Sequence, residues 1–413
     1  MIAWAKKMLS GFKQEVLYRC AIASAHSRRS LPLSPHPRFL FLVAYPEAWN
    51  SVKLVYEEIC SREDAEALVV AVPRMKDGVV VGGNDAACFF EDHGLGCIEA
   101  YDENEGKWCD LAQLMPSHVV YVRPYETEYP PEYRPCKVAL YARTCLFPYA
   151  YLNSDPAWYF SIEYGKNFMR GINYVCSGQA STNEMLRTTY RKAIEKKCLY
   201  VSDAGYPRFE LVEKCADWHV PGQPVTVLWT PRWAVRDNAD CTTFFKYKER
   251  LVKFIVEHEE ARLICRPHPL ALKNFVQEGY MTPEEVDEFK RFFRETPRFR
   301  LDEGKDYLES FRESDVLVSD ASSIVIEYFL TGKPIVYTGE MGAVSEEVEA
   351  AYRTLYHAFS WDEIVSFLNE LLSGIDKDRA SRAEVIEQIN PKSGTRASVA
   401  IVNELIEECK ICK

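Results

Sequence analysis

Short apolar runs alternate with segments of helical periodicity along the first half of the chain. Val52–Cys60 carries its hydrophobic residues at helical spacing, between runs that are apolar throughout. Such alternation is typical of βαβ units, which build a parallel sheet. The predicted strands are Phe39–Ala44, Leu68–Val72, His118–Tyr125 and Lys137–Ala142. The pattern predicts a first Rossmann-like domain over residues 39–216.

The alternation stops at a Pro/Gly-rich stretch and then starts again. Residues 217–224, DWHVPGQP, are therefore predicted to be a linker. The strands predicted after it are Val225–Thr230, Ala261–Cys265, Val316–Ser319 and Ile335–Tyr337. We expect a second Rossmann-like domain over 225–380 and a helical tail over 381–413. The fold class is α/β, with two Rossmann-like domains facing a central cleft.

Composition agrees with a two-domain globular protein. The chain has 413 residues, of which 47% are hydrophobic and 27% charged. It contains no apolar run of 18 residues, so no membrane-spanning helix is predicted. Its fourteen cysteines show no repeating spacing. In a large α/β chain this favours reduced thiols, and hence a cytoplasmic protein, over a disulfide framework.

Charge is distributed unevenly. The net charge is −11, but residues 1–40 hold seven Lys and Arg against one Glu, which gives +6 there and −17 over the remainder. Residues 1–38 are predicted to form a basic amphipathic segment. Residues 1–30 of this segment would bind an anionic membrane interface. The alternative is a helix packed on its own domain. The acidic remainder gives no reason to expect nucleic acid as a partner.

The candidate chemistry lies just after the strands of the second domain. Ligands of open parallel sheets bind at the carboxyl ends of the strands. The first of these strands ends at Thr230 and is followed by Arg232. Arg266 and His268 follow the second strand, and Asp320, Ser322 and Ser323 follow the third. We expect these three strand ends to converge and to surround a diphosphate with cations, a proton donor and backbone amides.

Ser322 and Ser323 stand where a helix is predicted to begin. Free amide N–H groups and the helix dipole favour an anion there, and two hydroxyls add donors. Glu327 lies about one turn further along, in a position to meet a ribose hydroxyl. The alternative is that Asp320 and the serines only cap the helix.

Several common cofactor and metal motifs are absent. The sequence has no GxGxxG, no GxxxxGK[ST], no GxSxG and no HExxH pattern. Asp376–Asp378 forms a DxD match that we interpret as a solvated turn, and Cys409 and Cys412 as a frayed helix end. We therefore expect neither a resident metal ion nor a cofactor.

Three segments in order, VLWTPRW, RPHP and SDVLVSDASSIVIEYFLTGKPIVY, resemble the CDP-glycerol glycerophosphotransferase family, and most closely its capsule-associated subgroup. The resemblance covers most of residues 137–340. It implies a GT-B fold and the transfer of glycerol phosphate or ribitol phosphate from a CDP-activated donor. The acceptor would be a hydroxyl of a lipid-linked glycan or polymer, CMP would be released, and the enzyme would lie at the inner face of a bacterial membrane.

The resemblance also implies roles for individual residues. His268 and Arg266 would hold the donor pyrophosphate and neutralise the leaving phosphate, and a protonated His268 would serve as general acid. The rest of the donor site would consist of Thr230, Arg232, Asp320, Ser322, Ser323 and Glu327.

The first domain departs from the family pattern. Well-studied members carry a His-Gly pair whose histidine resembles the general base, and no such pair stands in the expected segment. Tyr149, in FPYAY, resembles a tyrosine-bearing variant and is the candidate for orienting the acceptor. Two alternatives remain open: a nucleotide-sugar glycosyltransferase of the same fold, which would release a nucleoside diphosphate, and a non-catalytic nucleotide- or acceptor-binding subunit.

Overall fold

The computed structural model describes most of the chain. The described residues are 36–76, 78–151, 156–213, 215, 222–235, 242–340, 344–390 and 395–407, together with the helical residues Val16, Arg19 and Ala23. The predicted membrane-binding segment, most of the linker at 217–224 and the Cys409–Cys412 pair therefore lie outside the described residues.

The described residues divide into two compact units. The first contains those within Met1–Tyr151, Ala157–Arg208 and Ser393–Lys413, and the second those within Leu152–Pro156 and Phe209–Lys392. The division falls inside a helix, Pro207–Glu213, earlier than the predicted linker. No described helix is both long enough and apolar enough to cross a bilayer.

A parallel sheet of seven strands forms the centre of the first unit. In chain order the strands are β1 (Arg38–Val43), β2 (Glu66–Ala71), β3 (Cys97–Glu99), β4 (His118–Tyr121), β5 (Arg143–Leu146), β6 (Tyr174–Val175) and β7 (Tyr200–Val201). Their spatial order is β7-β6-β5-β4-β1-β2-β3. Near-continuous apolar runs such as FLFLV in β1 are buried, as expected for a parallel sheet covered on both faces. Two small antiparallel ribbons, Met75–Lys76 with Val79–Val80 and Tyr101–Asp102 with Lys107–Trp108, follow β2 and β3 along the chain.

Helices connect and cover these strands. They are α1 (Lys53–Cys60), α2 (Asp85–Asp92), α3 (Pro135–Val138), α4 (Pro156–Glu163), α5 (Lys166–Met169), α6 (Ala180–Thr189) and α7 (Arg191–Glu195). The next helix, α8 (Pro207–Glu213), begins in the first unit and continues into the second. Short 3₁₀ helices span Pro46–Ser51, Leu111–Leu114, Glu126–Glu128 and Pro131–Tyr133.

The strand predicted at Lys137–Ala142 is wrong. The segment continues α3 into a turn, and the strand begins at Arg143. Pro135 stands in the first turn of α3, where its missing N–H costs nothing, and so favours a helix there. The apolar residues of the segment pack from a helical turn, which a short apolar run alone does not distinguish from a strand.

A parallel sheet of six strands forms the centre of the second unit. The strands are β8 (Val225–Thr230), β9 (Ala261–Cys265), β10 (Phe299–Leu301), β11 (Val316–Ser319), β12 (Ile335–Tyr337) and β13 (Tyr356–His357), in the order β10-β9-β8-β11-β12-β13. Its helices are α9 (Phe244–Glu257), α10 (Ala271–Gln277), α11 (Pro283–Glu295), α12 (Leu308–Glu313), α13 (Ile324–Phe329), α14 (Glu346–Tyr352), α15 (Trp361–Leu372) and α16 (Arg379–Ile389). One contact in its core is Trp229 of β8 stacked on Phe244 of α9, with ring centroids 5.3 Å apart.

The C-terminal segment belongs to both units. Helix α16 stays with the second unit, whereas α17 (Ala397–Glu407) returns to the first and packs on α1. Glu404 of α17 accepts hydrogen bonds from the Tyr174 hydroxyl at 2.8 Å and the Ser202 hydroxyl at 2.6 Å. The predicted single tail over 381–413 is therefore split between two cores.

Asp376 is not the solvated residue that the sequence pattern suggested. Its side chain is 4% exposed and pairs with Arg382, which is fully buried. It also accepts a hydrogen bond from the Tyr356 hydroxyl at 2.8 Å. The acidic turn is thus part of a buried ion pair whose partner lies on α16, and it serves the packing of this helix.

Candidate functional site

The three strand ends singled out in the sequence meet at one edge of the second sheet. β8 pairs with both β9 and β11, so the residues that follow these strands are neighbours. Beyond the ladder, the Arg266 amide donates to the Trp229 carbonyl at 2.8 Å and the His268 amide to the Pro231 carbonyl at 3.0 Å. These bonds hold the RPHP segment in an extended course alongside the end of β8.

His268 is exposed at this edge. Its Nδ1 accepts a hydrogen bond from the Leu270 amide at 3.2 Å. Because the amide can only donate, the neutral ring carries its proton on Nε2. The Trp233 ring lies 6.2 Å away between centroids and is itself partly exposed. His268 therefore offers an N–H donor.

The electrostatic surroundings keep His268 neutral. Partial desolvation by the protein packed around the ring, together with the charges of Arg232 and Arg266, lowers the pKa of His268 to about 4. At neutral pH the ring is thus uncharged until an anion is near. The protonated state expected from the family resemblance requires a bound phosphate to raise this pKa.

Arg266 is largely buried. Its guanidinium pairs with the Asp302 carboxylate at 2.7 Å and donates to the Gly304 carbonyl at 2.7 Å. Burial alone would raise the pKa of Asp302, but the charge of Arg266, the Ser310 hydroxyl and the Gly304 amide outweigh it and lower the pKa. Arg266 thus fastens the segment after β10 to the end of β9 and contributes positive potential beside His268.

Asp320 organises the loops around the edge. Its carboxylate accepts from the Arg232 amide at 2.9 Å, the Thr243 amide at 2.8 Å and the Thr242 hydroxyl at 3.1 Å. The residue is 1% exposed. A carboxylate that is buried and hydrogen-bonded in this way positions other groups, so we interpret Asp320 as the support of the loops at this edge.

Arg232 and Thr230 differ in access to solvent. Arg232 is partly exposed, and one of its guanidinium nitrogens donates to the Ala321 carbonyl at 2.7 Å. Thr230 is buried and donates to the Ser319 hydroxyl at 2.7 Å. Arg232 is therefore the accessible cation of this strand end, and Thr230 links β8 to β11.

Ser323 is the N-cap residue of α13 but does not cap it through its side chain. It is exposed, and Ser322 before it is partly exposed. The serines stand next to Arg232 through its bond to Ala321. The capping alternative therefore does not hold for Ser323, and Asp320 bonds the loops after β8 instead of the helix.

Glu327 is buried within α13 and accepts a hydrogen bond from the Tyr307 hydroxyl. The Tyr307 ring in turn lies beneath the Arg266 guanidinium, 5.9 Å from its centroid. The predicted contact of Glu327 with a ribose stays a prediction, and the residue also connects α13 to the RPHP segment.

The sequence reasoning missed several residues that build this edge. Thr242 and Thr243 bind Asp320, and Thr243 also contacts the Thr338 hydroxyl at 3.0 Å. At Gly339, a β-carbon would lie 2.8 Å from the Ala321 amide nitrogen, closer than the two backbones permit. Thr338 and Gly339 follow β12, so the same rule of reading strand ends identifies them. No local pattern identifies Thr242 and Thr243.

Tyr149 lies in the first unit, at the end of β5. Its hydroxyl is 3.4 Å from that of Tyr125, and the Arg123 guanidinium lies over its ring at 4.5 Å. Burial and, to a lesser degree, Glu163 raise the pKa of Tyr149. Its phenol therefore stays protonated at neutral pH. His93 is an exposed residue at the end of α2 and His118 is buried in β4, where it stacks on Phe39.

Solved structures of similar fold include nucleotide-sugar epimerases and a teichoic acid polymerase. The UDP-N-acetylglucosamine 2-epimerase of Listeria monocytogenes is 12% identical, with a TM-score of 0.57 over 90% of this chain and 97% of that one. The S. aureus MnaA–UDP complex is 13% identical, with a TM-score of 0.54 over 91% and 97%. A histidine-to-asparagine variant of the wall teichoic acid polymerase TagF is 14% identical, with a TM-score of 0.53 over 100% and 98%. These similarities show a GT-B fold, as expected.

Comparison of sequences gives a more specific result. A search of curated protein sequences finds no match. The family model of CDP-glycerol:poly(glycerophosphate) glycerophosphotransferase matches residues 165–406, which is more than half of the chain and includes all three strand ends of the second unit. The chain therefore belongs to the CDP-glycerol:poly(glycerophosphate) glycerophosphotransferase family and is a transferase of this type.

Proposed function

We propose that this protein moves glycerol phosphate or ribitol phosphate from a CDP-activated donor to a hydroxyl of a lipid-linked glycan or polymer, releasing CMP. The product would be a capsule or a teichoic-acid-like polymer. The observation that carries the proposal is the edge formed by the ends of β8, β9 and β11. There His268, Arg232 and the Ser322–Ser323 pair are accessible, and the carboxylates of Asp320 and Asp302 support the segments that carry them.

The chemistry of this edge suits a departing phosphate. Negative charge develops on CMP as its bond to the transferred phosphorus breaks, and positioned donors and cations stabilise that charge. The Nε2–H of His268 and the guanidinium of Arg232 are such groups. A bound phosphate also raises the pKa of His268, so the ring can pass from hydrogen-bond donor to proton donor as charge develops. These groups are also the reason to propose that no resident metal ion or cofactor is needed.

The product separates this function from its alternative. Purified protein is incubated with CDP-glycerol or CDP-ribitol and a lipid-linked glycerol phosphate oligomer, with and without EDTA, and nucleotides are quantified by chromatography. We expect acceptor-dependent CMP, with EDTA reducing its rate by less than about twofold. Nucleoside diphosphate from a nucleotide sugar, without CMP from either donor, would establish the glycosyltransferase. Binding of CDP-glycerol without any turnover would indicate the non-catalytic subunit.

We also propose that residues 1–30 hold the enzyme on the inner face of a bacterial membrane, where a lipid-linked acceptor is found. The support is their excess of basic residues and amphipathic pattern. Deleting these residues should lower sedimentation with phosphatidylglycerol vesicles at low salt by about tenfold, while CMP release with a water-soluble acceptor is retained. Unchanged sedimentation of the deletion variant would contradict the proposal.

A further inference from the structure

The carboxyl edge of the first sheet carries a chain of three hydrogen-bonded side chains. Tyr125 follows β4, Tyr149 follows β5, and Glu163 is the last residue of α4. The Tyr125 hydroxyl lies 2.5 Å from Oε1 of Glu163 and 3.4 Å from the Tyr149 hydroxyl. Glu163 is 4% exposed, whereas both tyrosines are partly exposed.

The direction of these hydrogen bonds follows from their chemistry. An ionised carboxylate only accepts, so the single proton of the Tyr125 hydroxyl is directed to Glu163. The contact between the two tyrosines must then use the Tyr149 proton, with the Tyr125 oxygen accepting. Tyr149 consequently keeps its oxygen lone pairs for another donor, and it makes no further side-chain hydrogen bond within the described part of the chain.

Glu163 is an unusual buried carboxylate. Among the described residues it forms no ion pair, and its hydrogen-bond partner is the Tyr125 phenol. Arg123 lies close but is committed to Glu128, through two bonds of 2.7 and 2.8 Å, and its guanidinium lies over the rings of Tyr45, Tyr125 and Tyr149. Burying a charged carboxylate with so few compensating contacts costs free energy. We therefore expect Glu163 to have a functional role.

The ionisation tendencies agree with a proton moving inward. Burial raises the pKa of Glu163, so its carboxylate holds a proton more readily than an exposed one. Burial also raises the pKa of Tyr125 and of Tyr149. Each phenol therefore stays protonated at neutral pH and gives up its proton only as it receives another. The two hydroxyls can in this way pass a proton to Glu163, which retains it.

We propose that Tyr149 receives the proton of the acceptor hydroxyl and that Tyr125 and Glu163 draw it inward, so that these three residues together act as the base of the transfer reaction. The inference rests on the proposed function. Tyr149 is the catalytic residue, because it alone would touch the acceptor, and Tyr125 and Glu163 are positioning residues that act through it.

The proton transfer balances with the phosphoryl transfer. The acceptor oxygen forms a bond to the polyol phosphate phosphorus as the bond from that phosphorus to the CMP oxygen breaks, and CMP leaves with the electron pair. The acceptor proton binds the Tyr149 oxygen, the Tyr149 proton passes to Tyr125, and the Tyr125 proton passes to Glu163. Release of this proton to solvent restores the starting state.

The variants Tyr149→Phe, Tyr125→Phe and Glu163→Gln test the relay. Each should lower kcat for acceptor-dependent CMP release by about 100-fold, with the KM for the CDP donor within about twofold of wild type. Because the three act as one unit, Tyr149→Phe combined with Glu163→Gln should be no slower than the slower single variant. Glu163→Asp, which keeps the carboxylate, should recover part of the rate.

The dependence of kcat on pH distinguishes the relay from a purely structural role of these residues, because a structural role would not change it. The groups facing Glu163 are Tyr125, Tyr149, Arg123 and Glu128. Wild-type kcat should fall on the acidic side as Glu163 takes up a proton before turnover, and Glu163→Gln should lack this limb. Tyr133→Phe is the matched control, since it removes another buried tyrosine hydroxyl bond, to the Cys109 carbonyl at 2.7 Å, and should leave kcat unchanged.

The outcomes separate the relay from the proposed function. If wild type releases no CMP, the proposed function fails. If wild type is active and the variants keep more than about half of its kcat, or their losses multiply in the double variant, the relay is wrong while the function stands. CDP affinity and melting temperature are measured for every variant, so that a folding defect is recognised, and Tyr149→Phe, whose hydroxyl makes the longest of these contacts, is the decisive one.

Discussion

The two sheets carry opposite chemistry at their carboxyl edges. In the second unit the accessible groups are donors, namely His268, Arg232 and the serines, and the carboxylates lie beneath them. In the first unit the accessible groups are phenols, and the arginine beside them is already neutralised by Glu128. The proposed roles follow from this difference: the edge of the second unit would receive an anion, and that of the first unit a proton.

The carboxylates show the difference most clearly. Asp320 is buried and accepts from two amides and a hydroxyl, whereas Glu163 is buried and accepts a hydrogen bond from one phenol. The donors to Asp320 belong to the loop between β8 and α9 and hold that loop in place, whereas the donor to Glu163 is the phenol beside Tyr149. The groups that donate to a buried carboxylate, and not its burial, therefore separate the support from the proposed proton acceptor.

Removing His268 should have the largest effect on the anion-receiving edge. His268→Ala deletes the Nε2–H donor and should lower kcat/KM for the CDP donor by about 100- to 1,000-fold, as for loss of a donor to developing charge. The relay variants of the first unit should lower kcat and leave the donor KM unchanged. Steady-state kinetics of CMP release measure both.

A second histidine serves as the control for this variant. His258 stands at the other end of β9, where its Nδ1 lies 2.8 Å from the Phe254 carbonyl. His258→Ala should stay within about twofold of wild type. Comparable losses in the two histidine variants would remove the distinction between this edge and the rest of the unit.

The sequence predicted the second unit better than the first for a physical reason. Val225–Thr230 and Ala261–Cys265 match β8 and β9 to the residue, because buried parallel strands are continuous apolar runs and here the next residues are Pro231 and Arg266-Pro267. The segment at Lys137–Ala142 is equally apolar, but Pro135 and its packing make it helical. Apolar character alone does not choose between the two structures.

The position of the candidate site in the sheet could be predicted from the sequence, but which of its side chains are accessible could not. The rule of reading strand ends found His268 and Arg232, and sheet order brought them together. It gave no sign that Arg266 is bound to Asp302, or that Glu163 meets Tyr125, because these partners are 36 and 38 residues apart. Long-range side-chain pairing decides which member of a motif is accessible, and it leaves no local pattern.

A smaller effect, on the affinity for CDP, should distinguish the two buried carboxylates Asp320 and Glu163. Asp320→Asn replaces one accepting oxygen with an NH₂ group that faces amide donors, a change that costs about 1–3 kcal/mol. It should weaken CDP binding by about tenfold at pH 7.5, whereas Glu163→Gln should leave CDP affinity unchanged. Isothermal titration with CDP measures both variants, and equal affinities would contradict the assignment of Asp320 as a support.

The difference in stability between wild type and Asp320→Asn should also depend on pH. Burial raises the pKa of Asp320 from 3.8 to about 6, against the opposing effect of its N–H and O–H donors. Because the folded state binds the proton more tightly, this stabilisation is complete below pH 3.8 and is lost as pH rises through about 6. Between pH 7.5 and pH 5, wild type should gain about 1.4 kcal/mol relative to the variant, or roughly 3–5 °C in the melting temperature of the second unit. Scanning calorimetry at both pH values tests this, and a difference that is constant or grows with pH would mean that the amide and hydroxyl donors outweigh burial.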